Sequence, residues 1–205
     1  MWKRKVYSLI ILLVSLFLLA GCNNDKGDIA SISANSNSEY ENTFLDLDLG
    51  ILFDFNLELP RADESWVIIW VEGYKNGQKM EPSHLLELSY GASPNQHEEG
   101  NMGFGMVNPL SDNGLYFLYS PAANMKPQRI DIKTNAVSGG SVIEYAIGED
   151  PIALEADETK VLAVYRQSAS SILKNYDFED EDAINEIIEE HETVLVLKIK
   201  VSEDK

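Results

Sequence analysis

The longest regular pattern in the chain is an alternation of apolar and polar positions over residues 45–59. Every odd position in this stretch is apolar, and every even position except Leu52 is polar or glycine. Alternation with a period of two indicates a β-strand with one face in a core and the other in water. The stretch is longer than most strands, so we expect a bend or bulge at Gly50.

A second apolar run covers residues 66–71 and has no polar position. A strand that is apolar on both faces is typical of the centre of a sheet. Asn76 and Gly77 follow shortly afterwards, and this pair supplies the positive φ angles that a type I′ hairpin turn needs.

Further short strands are predicted between glycine, proline, asparagine and aspartate residues. They cover residues 84–90, 101–107, 115–119, 129–134, 141–147, 160–167 and 195–201. One helix is predicted over residues 182–191, where apolar side chains share one helical stripe. Residues 160–175 could instead form a helix, and the sequence leaves this open. The pattern predicts a mainly β fold, an antiparallel β-sandwich of immunoglobulin-like or jelly-roll-like type with one helix in the C-terminal region.

The first 22 residues show the three-part pattern of an export signal instead of a strand pattern. Lys3, Arg4 and Lys5 precede an apolar segment over residues 6–19, and the sequence Leu19-Ala20-Gly21-Cys22 follows. This arrangement resembles the signal peptide and lipobox of a bacterial lipoprotein. The resemblance implies cleavage between Gly21 and Cys22, a diacylglyceryl (and palmitate-type acyl) modification on Cys22, and anchoring on the extracytoplasmic face of a bacterial cell membrane. An uncleaved N-terminal membrane anchor is the alternative.

Three regions follow from composition. Residues 1–21 are predicted to be the cleaved signal peptide. Residues 22–43 are predicted to be the lipidated cysteine and a flexible tether, because they are mostly Asn, Ser, Asp, Gly and Ala with isolated Ile29 and Ile32. Residues 44–205 are predicted to form a single β-sandwich domain.

Charge excludes one class of partner. The chain has a formal net charge of −18, and removal of residues 1–21 leaves 13 basic residues against 34 acidic ones. A protein that neutralises phosphates needs a basic surface, so we expect no nucleic-acid partner. Cys22 is the only cysteine, which excludes an internal disulfide and a catalytic thiol in the mature domain.

Metal motifs are incomplete. His97-Glu98 and His191-Glu192 begin like the zinc motif H-E-x-x-H, but no histidine follows at the fifth position. Carboxylates suited to calcium crowd residues 177–182, without the spacing or the glycine of an EF-hand loop. We therefore expect no cofactor or metal, with calcium as the alternative. The acidic set is Asp177, Glu179, Asp180, Glu181 and Asp182.

The segment 91–106 is rich in glycine and polar residues and is predicted to be the longest irregular segment between strands. Loops on a rigid scaffold often carry binding residues, so His97, Glu98, Glu99 and Phe104 are candidate ligand-binding residues. Exposed aromatic side chains on a sheet could also stack on sugar rings, although the interior of the sandwich is the simpler place for them.

No nucleophile–base pair, complete metal motif or phosphate loop is present in the sequence. We therefore expect a lipid-anchored, extracytoplasmic binding protein without catalytic activity, whose partner is an envelope protein or a wall polymer. The alternative is a wall-directed or carbohydrate-directed enzyme, or its accessory subunit, that uses paired carboxylates such as Asp54, Glu58 or Glu87.

Overall fold

The computed structural model describes residues 28–111, 113–132, 140–167, 174–180 and 182–203. The predicted signal peptide and Cys22 lie outside the described residues. The described chain is mainly β and forms two antiparallel sheets, as a β-sandwich requires, so the predicted fold class is confirmed. No helix in the described ranges has the length and apolar content needed to cross a membrane.

The first sheet has the strand order β7-β6-β2-β1-β9. Its strands are β1 (Ala30–Ala34), β2 (Gly50–Leu59), β6 (Glu98–Val107), β7 (Leu115–Tyr119) and β9 (Ile152–Leu154).

The second sheet has the order β4-β3-β11-β10-β8, and β5 also pairs with β3. Its strands are β3 (Ser65–Lys75), β4 (Gln78–Lys79), β5 (Leu86–Gly91), β8 (Ser141–Tyr145), β10 (Thr159–Gln167) and β11 (Thr193–Glu203). Residues 66–71 are therefore confirmed as part of a central strand, since β3 lies between β11 and β5.

The main core lies between the two sheets and follows from the period of two. On β2 the odd positions Phe53, Phe55 and Leu57 are at most 1% exposed, and on β3 Val67 and Ile69 are fully buried. The outer faces of the sheets each carry one helix: α1 (Glu39–Asp46) lies against β2, and α2 (Ala183–Glu190) lies over β10 and β11.

The strand predicted over residues 45–59 is only partly correct. β2 begins at Gly50, and the residues before it form the end of α1 and a turn. The helix begins because the Ser38 side chain accepts a hydrogen bond from the Glu41 backbone N–H at 3.1 Å, as an N-cap does. Alternating leucine and aspartate residues after Phe44 looked like a strand, yet Leu45 and Leu47 are more than 60% exposed. α1 is thus an unpredicted second helix.

The predicted tether over residues 22–43 is wrong where the structure describes it. β1 pairs with β2 on one side and with β9 on the other, and Ile29, Ala30 and Ile32 are buried in the main core. A strand with a partner on each side satisfies its backbone groups, so a few apolar side chains are enough to hold a polar segment in the fold. The folded domain therefore includes residues 29–43, which lie before the predicted start at residue 44.

The remaining predictions have mixed outcomes. Asn76 and Gly77 have φ angles of 49° and 78°, which confirms the hairpin turn between β3 and β4. α2 and β11 are confirmed, and residues 160–167 are strand, so a helix over 160–175 is wrong there. Residues 129–132 form no strand, and residues 133–134 lie outside the described ranges. β9 was not predicted.

Candidate functional site

The segment predicted as a long ligand-binding loop is mostly strand. β5 ends at Gly91 and β6 begins at Glu98, so the connection covers only residues 92–97. Phe104 is 1% exposed, and its ring stacks on Phe53 at 6.4 Å between centroids inside the core. The structure thus separates Phe104 from the other three candidate residues.

His97, Glu98 and Glu99 lie at the start of β6. The Nε2 atom of His97 is 3.9 Å from a carboxylate oxygen of Glu99, and both side chains are more than half exposed. Glu98 accepts a hydrogen bond from the Ser93 hydroxyl. Adjacent residues of a strand point to opposite faces, so Glu98 and Glu99 do not converge on one ligand position.

Asp54 forms a fully buried carboxylate centre on the outer face of the first sheet. Its Oδ2 atom accepts hydrogen bonds from the side-chain amides of Asn35 and Asn101, each at 2.8 Å, and its Oδ1 atom accepts one from the Tyr119 hydroxyl at 2.7 Å. Burial and the neighbouring Asp54 charge raise the pKa of Tyr119. Each oxygen of this carboxylate therefore has a donor.

The Asp54 centre depends on a glycine. A Cβ atom at Gly103 would lie 1.9 Å from the Phe53 carbonyl oxygen and 2.7 Å from the Tyr119 hydroxyl. Only glycine lets the tyrosine cross β6 to reach the carboxylate. We interpret the centre as structural, because it ties β1, β2, β6 and β7 together below α1.

The three carboxylates named for an enzyme mechanism are not grouped. Asp54 is buried in the first sheet, whereas Glu87 lies on the second sheet and contacts His84 at 2.5 Å. Asp54 and Glu58 are four residues apart on β2, a separation of ~13 Å along a strand. Paired carboxylates in glycosidases lie about 5–9.5 Å apart, so these three residues do not form such a pair.

Glu72 is the centre of a second charged cluster, on the outer face of β3. Its carboxylate contacts the ammonium groups of Lys79 at 3.1 Å and Lys198 at 3.0 Å, and it accepts hydrogen bonds from Tyr74 at 2.6 Å and Trp70 at 3.2 Å. Burial favours a higher pKa for Glu72, but these four donors outweigh it and lower the pKa to about 2. Glu72 directly follows the apolar run over residues 66–71, and the sequence analysis did not single it out.

The aromatic side chains belong mostly to the core. Trp70 lies on the outer face, but His84 stacks over it with 5.2 Å between ring centroids, and the indole is only 7% exposed. Trp66 is the partly exposed exception on this face, at 39%. One open ring offers less stacking surface than the sugar-binding interpretation requires.

Arg166 anchors the segment before α2. This arginine is 1% exposed and donates to Glu144 at 2.8 Å, to the Lys174 carbonyl oxygen at 2.6 Å and to His191 at 2.8 Å. Its guanidinium also lies 4.7 Å from the Tyr176 ring centroid. No sequence pattern indicated this cluster, because its members are distant in the chain.

A cleft of about 550 Å³ lies beside α2, where β9 and β10 approach the segment that precedes the helix. Small-molecule sites are commonly clefts of ~300–1,000 Å³. Apolar residues line the cleft on the side of β9 and β10 and on the side of α2 and the segment before it. All but one of the charged residues in the lining are acidic. The apolar side chains are Ile147, Ile152, Phe178 and Ile184, and the charged ones are Glu158, Lys160, Glu179 and Asp180.

Two of the acidic residues predicted as a calcium alternative bond to the backbone two residues further along the chain, as in Asx-turns. Asp177 accepts from the Glu179 backbone N–H and Asp180 from the Asp182 backbone N–H, each at 3.0 Å. Glu181 lies outside the described residues. Among the described residues, no group of three or more His, Cys, Asp or Glu side chains is arranged to hold a metal ion.

Comparison with known proteins adds no relative. No family model matches the chain, and neither a curated protein nor a solved structure is significantly similar to it.

Proposed function

We propose that this chain is a lipid-anchored, extracytoplasmic binding protein, and that the cleft beside α2 holds an alkylammonium group carried by an envelope protein or a wall polymer. The observation that carries the proposal is the combination of several apolar residues with three acidic residues and one lysine in a single concave site. Apolar walls with a few polar groups are typical of ligand sites.

The charge of the cleft determines the sign of its ligand. Glu158, Glu179 and Asp180 outnumber Lys160, and the whole chain has a net charge of −18. An anion would be repelled on approach, whereas a cation would be attracted. Ile152 and Phe178 offer contact to the methylene chain below the charged group. A primary ammonium on an alkyl chain matches both features.

The proposed anchor would keep this site near the membrane. Ile29, the first buried residue in the part of the chain that the structure describes, lies seven positions after Cys22. Seven residues span at most ~25 Å even when they are fully extended. The domain would therefore reach partners close to its own membrane, and its acidic surface would keep it off anionic lipid.

The test uses the full chain in zwitterionic nanodiscs and compares hexylammonium with hexanoate, which have similar alkyl chains and opposite charges. Titration calorimetry against empty nanodiscs measures binding. We expect saturable binding of hexylammonium only, weakened about tenfold when Glu158→Gln and Glu179→Gln are combined, because two attractive charges are lost.

The matched control combines Glu64→Gln with Glu99→Gln, which removes the same charge from exposed positions outside the cleft. Equal weakening in the control would show that binding reflects overall charge and would contradict the cleft proposal. Binding of hexanoate with similar affinity would contradict it as well.

A further inference from the structure

Exposed apolar side chains occur on and beside α1, the helix that lies against β2 of the first sheet. Among the described residues, six large hydrophobic side chains are exposed, and four of them lie on or near α1. Tyr40, Leu45 and Leu47 belong to α1 and its C-terminal cap, and Leu110 lies in the loop after β6. That loop adjoins the turn after α1, because the Asn108 backbone N–H donates to the Leu49 carbonyl oxygen at 3.0 Å.

The exposed leucines belong to a helix that is packed against the first sheet and capped at its N-terminus. The Tyr40 ring packs edge-on against Tyr119 at 6.2 Å between centroids, and the Phe44 ring packs on Phe117 at 6.0 Å. The helix is also capped by Ser38. α1 is therefore seated on the first sheet by one side, and Leu45 and Leu47, which are 62% and 63% exposed, remain open to solvent.

The two chain segments that carry these side chains contain charged residues of one sign only. Residues 28–60 contain no lysine, arginine or histidine, and Asp46 and Asp48 alternate with Leu45 and Leu47. The loop 108–114 contains no basic residue either. A contiguous group of exposed apolar side chains marks an interaction site, whereas single exposed ones are ordinary.

We propose that Leu45, Leu47 and Leu110 form the centre of a docking surface, here called the α1 surface, for a basic amphipathic segment of a partner protein. Such a segment places apolar side chains on the leucines and Lys or Arg side chains beside Asp46 and Asp48. A second copy of the chain fits poorly, because it would bring the same aspartates together. An anionic lipid surface is repelled for the same reason.

The probe is a fluorescent amphipathic peptide of Leu and Lys, and the comparison peptide has Glu in place of every Lys. Binding to the full chain in zwitterionic nanodiscs is measured by fluorescence anisotropy, with empty nanodiscs as background. We expect the Leu/Lys peptide to bind and the Leu/Glu peptide not to bind. The combined Leu45→Ser and Leu47→Ser variant should weaken binding about tenfold or more, since two apolar contacts are lost.

The control combines Trp66→Ser with Ile143→Ser, which removes exposed apolar side chains outside the α1 surface. Both variants alter exposed positions, and a melting temperature within a few degrees of the parent verifies that each is folded. Equal peptide affinity in the leucine variant and the control would overturn the proposal. Self-association of the parent that the leucine variant abolishes, seen by sedimentation, would assign the surface to a second copy and overturn it too.

Discussion

At the scale of single residues, buried polar groups differ in whether they have partners. The Tyr119 hydroxyl donates to the fully buried Asp54 carboxylate. The Tyr90 hydroxyl is also buried, but it makes no hydrogen bond of normal geometry to the described part of the chain. The nearby Ser120 hydroxyl donates to the Ala123 carbonyl oxygen. Burial raises the pKa of Tyr90, as expected for a poorly solvated phenol.

Replacement of tyrosine by phenylalanine should therefore change stability differently at the two positions. Tyr119→Phe should lower the free energy of unfolding by about 1–3 kcal/mol, because it removes one donor from a buried carboxylate. Tyr90→Phe should leave stability unchanged or raise it slightly, because no described residue makes a hydrogen bond of normal geometry to the hydroxyl that is lost. Urea unfolding of both variants measures the difference. Equal destabilisation by the two substitutions would show that the hydroxyl partners do not matter.

At the scale of elements, β1 shows how far sequence patterns can be trusted. Ile29 and Ile32 were visible in the sequence but were surrounded by polar residues, so they predicted a tether. The strand forms because β2 and β9 offer their edges on both sides. The β9 partner lies more than a hundred residues away, at Ile152–Leu154, and local composition contains no information about it.

The place of β1 in the folded domain predicts which fragments fold. A fragment of residues 28–205 should unfold cooperatively, whereas a fragment of residues 43–205 should not. The shorter one lacks Ile29, Ala30, Ile32 and Ala34 in the core, and burial of each isoleucine contributes ~1.5–3 kcal/mol. It also exposes the edges of β2 and β9. Total stability is only about 5–15 kcal/mol, so this loss is decisive.

Circular dichroism and thermal melting of the two fragments provide the measurement. Dispersed amide signals in an NMR spectrum of residues 28–205 serve as the positive control for a packed core. A cooperative transition in residues 43–205 at the same temperature would mean that β1 is dispensable and that the original tether boundary was correct.

At the scale of the whole molecule, burial of tyrosines links stability to alkaline pH. Burial raises the pKa of Tyr116 to about 12, and burial together with the Glu190 carboxylate raises that of Tyr176 to about 12. The pKa values of Tyr74, Tyr145 and Tyr165 are also raised, with burial as the largest cause. The folded state therefore keeps phenol protons that the unfolded state releases above its ordinary value of 10.0.

Because the unfolded state binds fewer protons above pH 10, stability should fall as pH rises from about 10 towards 12. The contribution is fully present below pH 10 and is lost progressively above it. Urea midpoints measured from pH 7 to pH 11 test this expectation, and tyrosinate absorbance should rise together with unfolding. A flat midpoint up to pH 11, or tyrosinate absorbance that appears before unfolding, would contradict it.

The sequence by itself determined the sandwich class, most of the strands, the hairpin at Asn76-Gly77 and the C-terminal helix, because these depend on local periodicity and turn chemistry. Only the tertiary structure decided that β1 belongs to the core, that Phe104 is buried, and that distant residues meet around Asp54, Glu72 and Arg166. The tertiary structure also forms the cleft beside α2. It leaves the leucines of the α1 surface exposed to solvent. Such features depend on contacts between residues far apart in the chain, and no local pattern encodes them.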